Sequence, residues 1–157
     1  MQLYFLRHGH AEDGYNMNDH DRQLTDDGSA RMQTAAQVMA RLDLNLTKIY
    51  SSPRIRAKQT AQTVADALGM PIEITEACNF GFSVAHVQQM AKAHGGNDSL
   101  MFVGHNPSMT DVVSELTGTR FMMKKGGLAR VDTIGNTVAG AELVWLIAPK
   151  VFDNLDG

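Results

Sequence analysis

A single cysteine, Cys78, stands among the 157 residues, so no intrachain disulfide can form. A chain of this size that folds without such staples suits a reducing compartment. Positive charge is scarce too: 14 Lys and Arg are set against 17 Asp and Glu, a net charge of -3. That balance leaves no basic stripe for a phosphodiester backbone, which excludes nucleic acid as an expected partner. Long apolar runs are also missing. The stretch from Leu3 to Leu6 is far shorter than a signal-peptide core and is followed, not preceded, by charge. Nowhere do the roughly 18 apolar residues of a spanning helix run together. The expectation is a cytoplasmic protein that neither leaves by the usual secretory route nor engages a membrane. Repeats, low-complexity tracts and long linkers are absent as well.

Several phosphate-handling signatures are lacking. A cysteine phosphatase needs an arginine six residues after its nucleophile, but Val84 holds that place after Cys78. No Gly-Lys-Ser/Thr of a P-loop occurs, and no G-x-G-x-x-G follows a strand. His8, His10 and His20 with Asp13, Asp19 and Asp21 invite a metal reading, but Gly9 interrupts the strand that would align the first two, and no closed ligand set results. Neither a metal nor a cofactor is expected.

What is present is 43% hydrophobic content, enough for one globular domain with its own core. Residues 1–150 are assigned to it, and Val151 to Gly157 to a loose tail. Strand-length apolar runs alternate with helical periodicity. Gln2 to Arg7, Lys48 to Ser51, Ile72 to Ile74 and Leu100 to Val103 read as extended, and Leu128 to Ile134 with Glu142 to Ile147 as an edge hairpin. Helices are expected over Ser29 to Leu42, from Ser52-Pro53 to Leu68, over Val84 to Ala93, and after Asn106-Pro107, where a capping side chain followed by proline suits a first turn. The pattern specifies α/β: a three-layer α/β/α sandwich around a mostly parallel sheet.

Ligands of open α/β sheets sit beyond the carboxyl ends of the strands. Arg7, His8, Ser52, His105 and Asn106 all fall at such ends, and Arg56 lies one turn into the helix after Pro53. Arginine's planar fork suits the oxygens of a phosphate, and a neutral imidazole can attack phosphorus near pH 7. Gly9 leaves room for close backbone approach, and the start of the Asn106-Pro107 helix adds free amides for an anion. Arg22 is a further candidate at the rim.

Leu6-Arg7-His8-Gly9, Leu24-Thr25-Asp26-Asp27-Gly28, Ser52 to Thr60 and Gly104-His105-Asn106-Pro107 resemble, in order, the motifs of the histidine phosphatase superfamily, which contains the phosphoglycerate mutases. The small size, the RHG motif at residue 7 and the lack of an inserted cap are most similar to its SixA-type phosphohistidine phosphatases, which serve signal transduction. The resemblance implies that His8 is the phosphorylated nucleophile and that Arg7, Arg56 and His105 form the phosphate pocket; the residues themselves add Asn106 and Gly9 beside it, and Arg22 either there or in a surface loop.

Members acting on phosphomonoesters usually carry a glutamate that protonates the leaving alkoxide. Glu73 and Glu76 lie in that region without the flanking pattern, so Glu76 is only a candidate proton donor. An imidazole leaves under milder acidity than an alkoxide, which favours phosphohistidine on a protein over a small phosphate ester. A non-catalytic phosphate or phosphoprotein binder is the reading from another class; it would need no nucleophile, yet both His8 and His105 are present. The protein is expected to be a monomer. Arg54 and Lys58 read as a solvated basic face, Ser52 as a helix cap, and the acidic run from Glu12 to Asp27 as a solvated segment.

Overall fold

The computed structural model describes residues 1–155. Its sheet has six strands in the order β3-β2-β4-β1-β5-β6. These are β1 (Gln2–Arg7), β2 (Lys48–Ser51), β3 (Ile72–Ile74), β4 (Ser99–Gly104), β5 (Leu128–Asp132) and β6 (Glu142–Ile147). The first four run parallel, and β5 and β6 add an antiparallel edge. The sandwich expected from the sequence is the one observed.

Because side chains alternate across a strand, a strand covered on both faces is apolar throughout. In β1, Tyr4 and Leu6 enter one core with Met101 and Val103 of β4, against α1 (Asp26–Arg41), α2 (Ile55–Leu68) and α5 (Pro149–Asn154). Leu3 and Phe5 enter the other with Leu100 and Phe102, against α3 (Val84–Ala91) and α4 (Ser108–Thr117). Met32 and Met39 fill the first core and Met109 the second.

Helix starts depart from expectation. α1 begins at Asp26, where the Thr25 side chain accepts from the Gly28 amide at 2.9 Å. α2 begins at Ile55 instead of Pro53; Arg54 is still extended, and the Ser52 hydroxyl accepts from the Arg54 amide at 3.2 Å. α2 ends as expected, with Gly69 left-handed at φ 66. α4 begins at Ser108, so Pro107 and not Asn106 takes the cap position, and the Asn106 Oδ1 accepts from the Thr110 amide at 3.2 Å from just outside the helix.

The loose tail is corrected. Pro149–Asn154 is helical, with Phe152 fully buried in the first core and Asp153 paired to Arg31 at 2.8 Å. An aromatic ring docked against α1 outweighs the mobility usual at a chain end. The remainder of that tail, residues 156 and 157, lies outside the described residues. No helix among the described residues is long and apolar enough to cross a membrane.

Candidate active site

β1, β2 and β4 finish at one rim, with Arg7 opposite Gly104 and Ser51 opposite Val103. The residues just past those ends therefore meet, although about a hundred positions separate the first from the last. His8 and His105 are buried, and their rings lie 5.2 Å apart between centroids. Arg56, only 3% exposed, points its Nε–H at His8 Nε2 from 3.3 Å.

Hydrogen bonding assigns the His8 tautomer. A carbonyl can only accept, so His8 Nδ1 donates to the Gly9 oxygen at 2.7 Å, which leaves the Nε2 lone pair turned to Arg56. The Ser52 hydroxyl, which accepts from the Arg54 amide, also lies 2.7 Å from His105 Nε2 and fixes the ring's orientation. His105 Nδ1 is buried without a partner, as is Arg7 Nε. The orphaned Arg7 N–H is poised for an anionic acceptor, because buried donors are otherwise almost always satisfied.

Electrostatics keep the two rings neutral. Burial lowers His8 to about 3, with Arg56, Arg7 and Lys125 adding to it and the Gly9 bond opposing. Burial likewise lowers His105 to about 3, helped by His8, Arg56 and Arg54. Between about 3 and 6.5 the folded protein therefore binds fewer protons here than the unfolded chain, and this part of the stability, intact above 6.5, falls as pH drops towards 3. The urea midpoint should decline between pH 7 and pH 5 in the native protein and decline less in His8→Asn/His105→Asn. Equal declines would show that these rings do not carry the acid sensitivity.

Asp19 is the residue that sequence reasoning missed. Its carboxylate accepts from Arg56 Nη2 at 3.1 Å and Arg22 Nη1 at 3.1 Å and is paired with Arg54, while its backbone oxygen takes Arg56 Nη1 at 2.8 Å. Burial alone would raise this carboxyl, but the hydrogen bonds from Arg22 and Arg56 and the charge of Arg54 hold it below the ordinary carboxylate range. A resident carboxylate thus occupies guanidinium hydrogens that suit a phosphate. The signal lay in the acidic run, but its composition did not single Asp19 out from Asp13 or Asp21.

The remaining candidates divide. Arg22 faces Asp19 and the Glu12 carbonyl, at 2.7 Å from Nε, and has no described contact with His8. Arg54 is not on a solvated face: it lies 3.8 Å over the Phe80 ring, whose edge meets His105. Asn106 spends its amide on the Met123 carbonyl, the same oxygen that takes Arg7 Nη1 at 2.9 Å, and so braces the loop that positions Arg7. At Gly9 the vacated space belongs to Met32, whose Cγ would lie 2.7 Å from an added Cβ. The glycine there admits a core side chain. Glu76 is exposed, its carboxylate accepting from Asn79 at 2.9 Å, and has no described contact with either imidazole. No group of three or more His, Cys, Asp or Glu able to hold a metal occurs among the described residues.

Residues 3–79 match the model of the histidine phosphatase superfamily, branch 1. The phosphohistidine phosphatase SixA homolog of Haemophilus influenzae is 32% identical over 132 residues, 76% of this chain and 79% of that protein. The chain belongs to the histidine phosphatase superfamily. Phosphohistidine phosphatase SixA of Escherichia coli is 29% identical over 122 residues, 74% of each chain. The structure of the protein histidine phosphatase SixA complexed with tungstate superposes with a TM-score of 0.84 at 24% identity over 96% of this chain and 99% of that one, a likeness of fold. Membership in this superfamily, together with the SixA relatives, supports phosphatase chemistry, and the rim of β1, β2 and β4 offers it an unprotonated imidazole and convergent guanidiniums.

Proposed function

We propose that this phosphatase removes the phosphoryl group from phosphohistidine on a signalling protein, by way of a covalent intermediate on His8. His8 Nε2 forms a P–N bond as the bond from phosphorus to the substrate imidazole breaks, and that ring leaves neutral when its other nitrogen carries a proton. Water then attacks phosphorus as the His8 P–N bond breaks, its protons leave on the departing dihydrogen phosphate, and the neutral His8 ring is restored. Arg7, Arg56 and His105 hold the non-bridging oxygens throughout, replacing the contacts that Asp19 makes in their absence. Each step balances on this chain's own residues, and we assign the protein to the cytoplasm as a monomer without metal or cofactor.

The observation that carries this reading is the state of the carboxyls. The one that touches the pocket, Asp19, is held ionised by its arginines, and Glu76 is exposed, bonded to Asn79 and without a described contact to either imidazole. A site with no neutral acid beside the leaving group serves an imidazole far better than an alkoxide. The SixA names of the relatives support the same substrate class.

The experiment compares a phosphohistidine peptide with an alkyl phosphate. General acid catalysis is worth roughly a hundredfold or more, so kcat/KM should favour the phosphoramidate by at least that margin. Nitrophenyl phosphate discriminates poorly, since its phenolate leaves unaided. Comparable rates on the alkyl phosphate would make the protein a small phosphomonoesterase with Glu76 or another acid in play.

A further inference from the structure

The loop before β5 and the residues after β6 converge on the same rim. β5 starts there because Leu128 pairs with Leu6, and β6 ends there because Ile147 pairs with Leu128. Between them runs a groove of about 600 Å³ whose walls include Arg7, His10, Arg31, Lys124, Lys125 and Lys150, with no carboxylate among its lining. In a chain of net charge -3 that concentration of cations is a local feature.

Arg31 is neutralised by Asp153 at 2.8 Å. Lys124, Lys125 and Lys150 are exposed and have no ion-pair partner among the described residues. Lys125 is close enough that its charge helps to lower His8. Arg7 belongs to the wall of the groove and also to the site beside His8, so an anion in one continues into the other.

We propose that this groove docks an acidic stretch of the phosphoprotein flanking its phosphohistidine. The proposal rests on the phosphohistidine reading and names what the substrate carries beside the reacting ring. A compact second anion would call for fixed, buried donors. Here the unpaired cations are solvated amines on long stems along an open trough, which suits several spaced Asp or Glu side chains on an extended segment. Such contacts act mainly on encounter and orientation and weaken with salt.

The test uses two phosphohistidine peptides, one with four glutamates beside the phosphohistidine and one with glutamines in their place. At low salt the native protein should turn over the glutamate peptide with kcat/KM about tenfold higher, the scale of a few screened surface pairs together. In Lys124→Glu/Lys150→Glu the preference should vanish, while turnover of the glutamine peptide stays at the native rate and so reports an intact fold and site. Equal use of both peptides by the native protein, or a preference that survives the double variant, would overturn the groove assignment.

A second arm separates this idea from the reading beneath it. The unphosphorylated glutamate peptide should inhibit turnover of p-nitrophenyl phosphate by the native protein and not by the double variant, whatever the enzyme does to phosphohistidine. Inhibition by a small bisphosphate that is lost in the double variant, with none by the glutamate peptide, would give the groove to a small second anion and end the proposal.

Discussion

His8→Ala loses turnover by a factor on the order of ten thousand or more, the scale seen when a covalent catalyst loses its nucleophile. The reasoning is geometric. Nδ1 is tied to the Gly9 oxygen at 2.7 Å, so attack falls to Nε2. Nε2 faces the arginine-lined pocket unprotonated, because burial and three cations keep the ring neutral, and a phosphoryl group would displace the long 3.3 Å contact that Arg56 Nε–H makes with its lone pair. No other group in the pocket offers both properties: His105 spends its Nε2 on Ser52, and Cys78 is buried with its thiol pushed up to about 12. Brief exposure to substrate followed by denaturation should leave an acid-labile phosphoryl label on the native chain and none on His8→Ala. A label that persists in the variant would move the attack to another side chain. A native chain that binds phosphate but never takes up label would be a binder and not an enzyme.

Much of this arrangement can be read from the residues because two physical rules act locally. Continuous apolar runs such as Leu100 to Val103 must be covered on both faces, and this fixed the parallel part of the sheet and, with it, the end at which Arg7, His8 and His105 gather. The order of the motifs along the chain then determined which side chains share a rim. Long-range pairing was not legible. Asp19 becomes a site residue only because the segment after β1 folds back across α2, a tertiary event that no period or cap announces. Ser52 has the same standing: the motif marked it, but its orientation of His105 follows from β2 lying beside β4. The short helix at the carboxyl end was missed because six residues with one aromatic carry little periodicity, and only the cavity they fill against α1 makes them helical.

Arg56→Ala should cost about a hundredfold or more in kcat/KM, the usual effect of deleting one preorganised donor to transition-state charge. The side chain is almost fully buried, reaches His8 through Nε at 3.3 Å, and presents its other two nitrogens to an anion already in place, Asp19. A phosphoryl group entering the pocket competes with that carboxylate for the same hydrogens, so the guanidinium must be strong enough to hold either. Deleting it would remove the proposed phosphate contact and also free the Asp19 segment, and a rate loss alone could come from either cause. Asp19→Asn resolves them. It leaves Arg56 in place and removes the competing charge, so inorganic phosphate should inhibit this variant at several-fold lower concentration than it inhibits the native protein, with the rate on a phosphohistidine peptide largely kept. If Arg56 served only to anchor the segment, Asp19→Asn would lose rate as severely as Arg56→Ala and phosphate would bind no tighter. A loss below about threefold in Arg56→Ala would take Arg56 out of the phosphate pocket, since a guanidinium bonded to the transferring group cannot be dispensable. Arg56→Lys adds a graded point: it keeps a charge but not the planar fork, and its rate should fall between the two, nearer to alanine.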